Sequence, residues 1–574
     1  MEQLIVAMGE KQAALFAWLC NPITQMLVAP LLACVLICLW PGRDQRLAKL
    51  WALLGSGTSL LVTILMITGL PVAWQNASLL FAQYIRFMPG LQMQFGQEYS
   101  WLKIELGELQ SFGVNYAVGV DGLSLPLIVM SSAVCFLAVI WSMPRTERVR
   151  DFLALTMLLE MALLGVFVAL DYVLFYLFWE LMLIPMYFLI AGWGHNRERA
   201  GKAAMKFFIY TVFGSVFMLI AFIAMQVLAS GGSSYTFNVI QMTKYFLTDG
   251  INILPAWRMM LFIGLLLGFA VKVPMFPFHT WLPDAHTEAP TEMSVILAAV
   301  LLKTGAYGFL RMLYPTFPDV AYRLGPVIAF CGLAAIVYGA AVTLMQTDMK
   351  RLVAYSSISH MGFIVLGIAA MNADATVGAV YQMVAHGVII SSLFFLTGAI
   401  ERRYGTRDLR VIGGMLRGAP AYALTLGIAA FAGMGLPGLA GFWGEFLVLK
   451  GTFFNNPQWT TVQVGAIDGS RYLQIAAVVA VIGVLTSAVY MINLLQRVLP
   501  GEMKGVDKDS SLAEPADRPA LAQPLPWRGF RLTDGVVLVP LTISIFMLGL
   551  FPRPVVDTCL EYANALWANL YMRF

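Results

Sequence analysis

Long apolar runs, separated by short polar segments, dominate this chain of 574 residues. A helix needs about 20 consecutive apolar residues to cross the hydrocarbon core of a bilayer. Runs of this kind are centred near residues 31, 60, 130, 161, 182, 217, 267, 301, 334, 361, 388, 428, 484 and 542. The pattern therefore predicts an all-α polytopic membrane protein with about 14 transmembrane helices.

Three segments do not fit the membrane pattern. Residues 71–118 are polar and rich in aromatic side chains, which indicates an outer loop or a small hairpin. Residues 505–530 are rich in Pro, Ala, Asp and Glu, as expected of a mobile inner linker. The final stretch, residues 555–574, has the amphipathic pattern of a helix that lies at the membrane interface.

Composition and charge support the same class of protein. The chain is 59% hydrophobic and only 12% charged, whereas soluble domains are about a quarter charged. The net charge of +4 is spread over short loops, so we expect no nucleic-acid partner. Lys and Arg are about twice as frequent in one set of alternate loops, which predicts that both termini lie outside.

Motifs for cofactors and metals are missing from the sequence. None of the six cysteines forms a C-x-x-C pair, so we expect no iron–sulfur, haem or zinc ligands. No Walker-type loop is present, and no G-x-G-x-x-G follows a strand. We therefore expect this chain to bind no cofactor, metal or nucleotide itself.

Ionisable residues inside the predicted spans are the candidates for function. Charges are costly in a bilayer and normally face a protein interior or a wet cavity. The candidates are Asp171, Glu180, Lys272, His279, Lys303, His360, His386 and Glu445, and Glu160 is a further possible member. Acids, amines and imidazoles in separate helices are the groups that a buried proton relay requires, because each can hold or release a proton.

Structural alternatives exist for several of these residues. Asp171 lies near a predicted helix boundary, where a helix cap is as reasonable as a relay position. Glu180 has a structural salt bridge as its alternative. His279 and His360 are compatible with loop, helix-end or backbone-bonding roles.

Two proline-containing stretches predict broken helices. Pro274 and Pro277 remove backbone donors just after Lys272. A second break is predicted within residues 431–446, "FAGMGLPGLAGFWGEF", which presents Glu445. Broken helices at membrane depth occur only where protein or a cavity surrounds the freed backbone, and in transporters they mark the ion path.

Eight motifs together resemble one known family. They are "GVDGLSLPL" (119–127), "FYLFWELMLIPMYFLI" (175–190), "KFFIYT" (206–211), "FAVKVPMFPFHTWLPDAHTEAPT" (269–291), "LLKTGAYG" (301–308), "QTDMKRLVAYSSISHMGF" (346–363), "MVAHGVIISSLFF" (383–395) and "GLPGLAGFWGEF" (435–446). The chain resembles the antiporter-like membrane subunits of respiratory complex I, and among them the M type. It departs from the family pattern at Glu292 and Met293, where smaller residues are expected.

The resemblance implies a fold and a set of roles. The fold has fourteen helices, with two inverted five-helix repeats, two broken helices and no redox centre. Glu180 pairs with Lys272, and Lys303 continues the path toward the middle of the subunit. His386 lies on the central hydrophilic axis, and Glu445 replaces a second lysine as the terminal group of the outward half. That glutamate distinguishes the M type from its siblings.

Five regions follow from the motifs and the apolar pattern. They are N-terminal helices with the outer loop (1–118), a first antiporter-like half with a break near 269–280 (119–315), a second half with a break near 431–446 (316–500), the inner linker (501–530), and a last span with the tail (531–574).

The resemblance also implies an activity, cofactors and partners. The chain would be a proton-translocating subunit of NADH:quinone oxidoreductase in the inner (cytoplasmic) membrane of a bacterium. NADH, FMN, iron–sulfur clusters and quinone would be bound by partner subunits, and the neighbours would be antiporter-like subunits of the L and N types. The alternatives are a subunit of a multi-subunit sodium/proton antiporter, the membrane arm of a hydrogenase-type complex, and a purely structural scaffold.

Overall fold

The computed structural model describes residues 18–19, 21–40, 45–68, 93–105, 111–229, 235–501 and 529–571. Within these ranges, thirteen helices are long and apolar enough to cross a bilayer, and one shorter apolar helix accompanies them. In chain order the helices are α1 (Pro22–Leu39), α2 (Gln45–Thr68), α3 (Ser124–Ser142), α4 (Val149–Val168), α5 (Tyr172–Trp193), α6 (Arg197–Ala229), α7 (Val239–Leu247), α8 (Pro255–Lys272), α9 (Leu282–Glu288), α10 (Thr291–Thr316), α11 (Pro318–Leu344), α12 (Met349–Ala369), α13 (Ala373–Tyr404), α14 (Met415–Gly418), α15 (Pro420–Gly433), α16 (Ala440–Phe453), α17 (Gly469–Val498), α18 (Leu532–Leu550) and α19 (Arg553–Tyr571).

The helix pattern predicted from hydropathy is confirmed. Each of the fourteen predicted centres falls inside one helix, the twelfth of them inside the shorter helix α15. Part of the predicted outer loop forms the alternative hairpin, in which β1 (Gln94–Glu105) pairs antiparallel with β2 (Ser111–Val120). A short strand β3 (Tyr235–Thr236) adds to β2 in parallel. Residues 69–92 of that loop and 502–528 of the inner linker lie outside the described residues.

Three helices form the centre of the molecule. The hydrophobic windows of α10 and α13 are buried along their whole length, and that of α12 is 94% buried. Most other spans keep one exposed apolar face, as expected of helices that contact lipid. The polar residues carried by α10, α12 and α13 therefore lie inside protein and not against lipid.

The first predicted break is present directly after Lys272. α8 ends there, and turns occupy residues 273–281 before α9 begins. The Trp281 indole donates a hydrogen bond to the carbonyl oxygen of Val271 at 3.0 Å, and the amide of Met275 donates to Ala270 at 2.9 Å. Backbone groups that the break frees from the helix are thus hydrogen-bonded inside the protein. A break at membrane depth is stable only under this condition.

The second predicted break separates α15 from α16. Gly435 and Gly438 have positive φ angles of 74° and 89°, a conformation that favours glycine because a Cβ would clash. These two residues turn the chain so that α16 starts at Ala440 and presents Glu445 from its second turn.

A buried ion pair joins the end of the hairpin to α10. Arg311 donates to Asp121 at 2.6 Å, and both side chains are at least 93% buried. Asp121 also accepts from the amides of Leu123 and Ser124 at the start of α3. Three separate elements therefore depend on one carboxylate.

We predict that Arg311→Met lowers the free energy of unfolding by about 3–5 kcal/mol, because it leaves Asp121 buried without its cation. The measurement is denaturation of the purified protein in detergent. Arg410→Met is the matched control, since the Arg410 side chain is 57% exposed and pairs with Asp408 only two residues away, so its loss should leave the unfolding midpoint unchanged. Equal midpoints for the two variants would contradict the structural role of the buried pair.

Candidate functional site

Lys303 and His386 form the first contact of the candidate site. Lys303 projects from α10, directly after a π-helical turn over residues 297–301, a geometry that is frequent at functional sites. Its Nζ lies 2.6 Å from Nδ1 of His386 on α13 and 2.5 Å from the carbonyl oxygen of Ala298. Both side chains are buried, so the ammonium relies on one carbonyl and one imidazole for its hydrogen bonds.

His360 and Glu445 form the second contact. Nδ1 of His360 on α12 lies 3.1 Å from Oε1 of Glu445 on α16, and both side chains are more than 90% buried. Gly435 in the second break packs against the same carboxylate: a Cβ there would lie only 2.7 Å from Glu445 Oε2. The break therefore leaves the space that the glutamate occupies.

The two contacts lie next to each other. The rings of His386 and His360 have centroids 5.6 Å apart and are tilted by 53°. A small cavity touches both rings and is also lined by Gln382, Ser356 and Met491. Lys303, His386, His360 and Glu445 thus form a continuous buried row from α10 to α16, which we name the axial row.

Lys272 and Glu180 lie near each other but are not in contact. Nζ of Lys272 is 4.6 Å from the centroid of the Trp179 ring and has no hydrogen-bond partner. No nitrogen–oxygen distance between Lys272 and Glu180 is as short as 4.0 Å, although Glu180 is the carboxylate whose charge acts on this lysine. In this structure the two residues interact electrostatically across a gap, with a cation–π contact to Trp179 beside them.

Asp171 and His279 lie away from the axial row. Asp171 caps α5, because its Oδ1 accepts from the amides of Val173 at 2.9 Å and Leu174 at 3.1 Å. The His279 ring packs against Phe276 and Tyr338, with centroid distances of 5.6 and 5.1 Å. The geometry of Asp171 is that of the helix cap, one of the two alternatives open from sequence.

Glu160 is buried among the first helices of the chain. Its Oε1 accepts a hydrogen bond from Ser56 at 2.9 Å, and its Oε2 has no partner. Since Ser56 belongs to α2 and Glu160 to α4, this contact lies outside the axial row.

Sequence reasoning missed a second group of buried polar residues, near the start of α10. Lys350 in the first turn of α12 is buried and donates to the carbonyl oxygen of Ala289. The sequence gave no indication that Lys350 is buried, because this lysine stands in a polar stretch beside Arg351. Glu292, noted above as a departure from the family pattern, forms an ion pair of 2.7 Å with Arg145.

His286 is the third buried imidazole of this region. It lies within electrostatic range of both Lys303 and Lys350, its ring stacks on Phe394 at 5.0 Å, and neither ring nitrogen has a hydrogen-bond partner. In the sequence this histidine stands in "PDAH", where it is also compatible with a helix end, so the local pattern does not reveal its burial.

In the described part of the chain, no group of three or more His, Cys, Asp or Glu side chains has an arrangement that could hold a metal ion. The axial row instead alternates groups that each take up or release one proton: an ammonium, two imidazoles and a carboxylate. Lys303 and His386 are at hydrogen-bond distance, as are His360 and Glu445, and the two imidazole rings lie side by side between these contacts. Such an arrangement brings proton-exchanging groups near one another, as stepwise proton transfer requires.

A family model matches residues 169–468, and its description is "NADH:quinone oxidoreductase/Mrp antiporter, TM". The NADH-quinone oxidoreductase subunit M of Rhodobacter capsulatus is 37% identical over 524 residues, which cover 90% of each chain. The subunit of the same name from Escherichia coli K12 is 37% identical over 456 residues, which cover 78% of this chain and 81% of that one.

Solved structures give the same result for the fold. A chain of the respiratory complex I from Thermus thermophilus superposes with a TM-score of 0.74 at 25% identity, over 95% of this chain and 99% of that one. A chain of the Mrp complex from Dietzia has a TM-score of 0.72 at 21% identity, over 94% and 52% of the two chains, and therefore shows likeness of fold alone.

The resemblance predicted from the eight motifs is confirmed by these relatives. The matched region contains both helix breaks and the whole axial row. The chain belongs to the family of transmembrane subunits that NADH:quinone oxidoreductases share with Mrp antiporters.

Proposed function

We propose that this chain is a proton-translocating membrane-arm subunit of an NADH:quinone oxidoreductase in the cytoplasmic membrane of a bacterium. The observation that carries the proposal is the axial row, a continuous series of buried proton-exchanging groups in a membrane-spanning chain. Relatives at 37% identity that are named NADH-quinone oxidoreductase subunit M support the choice of complex.

In this proposal the distance between Glu180 and Lys272 controls whether Lys272 is protonated. Lys272 has no hydrogen-bond partner, so its proton is held mainly by the nearby charge of Glu180 and by the Trp179 ring. A movement of Glu180 toward or away from Lys272 changes how favourable the ammonium form is. The charge change then acts on Lys303, the first member of the axial row.

Lys303 passes its proton to Nδ1 of His386, since these atoms already lie at hydrogen-bond distance. The proton next moves to the His360–Glu445 pair, and Glu445 releases it toward the outer side. NADH, FMN, the iron–sulfur clusters and quinone belong to partner subunits, which supply the energy of electron transfer. Antiporter-like subunits of the L and N types are the proposed neighbours in the membrane.

The experiment that tests the proposed complex is gentle purification of the tagged chain from its native membrane, with identification of the co-purifying proteins. Flavin- and iron–sulfur-bearing subunits, together with NADH-dependent quinone reduction, are the expected result. Co-purification with small membrane subunits alone would instead support a sodium/proton antiporter and overturn the proposal.

We predict that Lys272→Ala assembles into the complex but lowers proton pumping by about tenfold or more, the scale on which a lost proton-exchanging group acts. Assembly should survive because no hydrogen bond is broken when this ammonium is removed. The readout is acidification in proteoliposomes together with NADH:quinone turnover. Lys202→Ala is the control, because Lys202 is exposed on α6 and pairs only with exposed Glu198. If Lys272→Ala pumped protons as well as the wild type, Lys272 would not have the proposed role in proton translocation.

We predict that Glu445→Gln also abolishes most pumping, whereas Glu445→Asp retains a substantial part of it. The amide of Gln keeps an acceptor oxygen for His360 but exchanges no proton at neutral pH. Asp keeps the exchanging group at a slightly longer distance. The same acidification assay compares the two variants, and equal pumping by both would show that the carboxylate is only a hydrogen-bond acceptor.

A further inference from the structure

We propose that Cys34 and Cys38 on α1 form a dithiol site that binds trivalent arsenic compounds. The inference goes beyond the proposed function and does not depend on it, because α1 carries no member of the axial row. Both cysteines are free thiols, and Cys34 is partly exposed while Cys38 is exposed. They lie four residues apart in one helix, so both side chains project from the same face.

The exposed face of α1 carries the two thiols. Leu31 and Val35, two turns and one turn before Cys38, are 37% and 40% exposed on the same face. The opposite face, which includes Ala33 and Ile37, is buried inside the protein. An apolar compound that is dissolved in the bilayer can therefore reach the sulfur atoms.

Contacts from α4 hold the end of α1 in place. Nη2 of Arg150, in the first turn of α4, donates to the carbonyl oxygens of Ile37 and Trp40, both at 2.8 Å. Carbonyl groups at the end of a helix have no partner within the helix itself, and the guanidinium supplies one. Because α1 remains helical up to Leu39, the spacing between the two thiols is that of an α-helix.

This spacing favours a bridge through a third atom over a direct disulfide. Cβ atoms four residues apart on a helix are separated by about 5–6 Å. A disulfide requires about 3.5–4.5 Å between its Cβ atoms, so a bond between Cys34 and Cys38 would distort α1. The two thiols are nevertheless near enough for the charge of Cys38 to act on Cys34. An arsenic atom bonded to both sulfurs lengthens the bridge by one atom, and the helix can then stay regular.

The compartment favours free thiols at this position. The charges of the loops predict an outer N-terminus, so α1 ends at the inner side of the membrane. Thiols on that side are kept reduced, and soft sulfur ligands select soft, thiophilic elements. The other described cysteines lie on α3, α11 and α19, one in each helix, so α1 is the one described helix with two cysteines.

The binding step conserves atoms and electrons. With an aryl arsenoxide, each sulfur forms one bond to arsenic, the arsenic–oxygen bond breaks, and the two thiol protons leave with the oxygen as water. Arsenic stays trivalent and neither sulfur is oxidised. A monothiol releases such a ring poorly, because a sulfur that is displaced stays tethered beside the arsenic and binds again. A small dithiol displaces both sulfurs and removes the arsenic.

The test labels native membranes with biotin-linked phenylarsine oxide, washes them with excess 2-mercaptoethanol and isolates the tagged chain under denaturing conditions. The parent chain carries Cys20→Ser, because Cys20 is near α1 in sequence and lies outside the described residues. The parent should retain biotin, and 2,3-dimercaptopropanol should remove it. Cys34→Ser and Cys38→Ser should each lower the retained biotin by about tenfold or more, because the second thiol binds intramolecularly.

Two controls separate a dithiol site from the reactivity of single thiols. Cys331→Ser removes one partly exposed thiol from α11 and should retain biotin like the parent. Leu36→Cys combined with Cys38→Ser keeps two thiols on α1 but places them two residues apart, where side chains do not face each other, and should lose the biotin. NADH-dependent quinone reduction shows that each variant is assembled. A parent without retained biotin, or equal retention by the parent and Cys38→Ser, would contradict the site.

Discussion

A charge inside a bilayer has no bulk water around it, and the fold of this chain is arranged around that cost. The protonatable residues of the axial row are carried by α10, α12, α13 and α16, and the first three of these helices have the most buried windows in the described chain. Helices at the periphery keep exposed apolar faces, as expected of helices that contact lipid. The lipid-facing spans thus serve as a shell that allows lysine, histidine and glutamate to meet in one protein interior.

The same cost explains why the two helix breaks occur where they do. A broken helix exposes backbone amides and carbonyls, which must be bonded inside the protein. At the first break the Trp281 indole takes the carbonyl of Val271, and at the second Gly435 leaves room for Glu445. One break ends a helix at Lys272 and the other starts a helix that carries Glu445. Each break therefore places a charged side chain at membrane depth without leaving its own backbone unpaired.

Hydropathy and motif spacing predicted much of this arrangement, because they record local properties of the chain. The fourteen spans, both breaks and the choice of Lys303, His386 and Glu445 follow from runs of apolar residues interrupted by ionisable ones. Contacts between distant segments leave no such record. Nothing local shows that Lys350 is buried, that Glu292 meets Arg145, or that Lys272 and Glu180 stay out of direct contact. Asp171 illustrates the limit, since a helix cap and a relay carboxylate look alike in sequence.

The spacing of four residues between Gln382 and His386 is a signal of intermediate strength. It places both side chains on one face of α13, but only the approach of Gly444 on α16 turns that face into a confined polar site. The Gln382 amide is thereby held with its Nε2 3.5 Å from Nδ1 of His360, the ring that contacts Glu445. The packing of α13 against α12 and α16, which no local pattern in the sequence records, is therefore what brings the lysine side and the glutamate side of the axial row together.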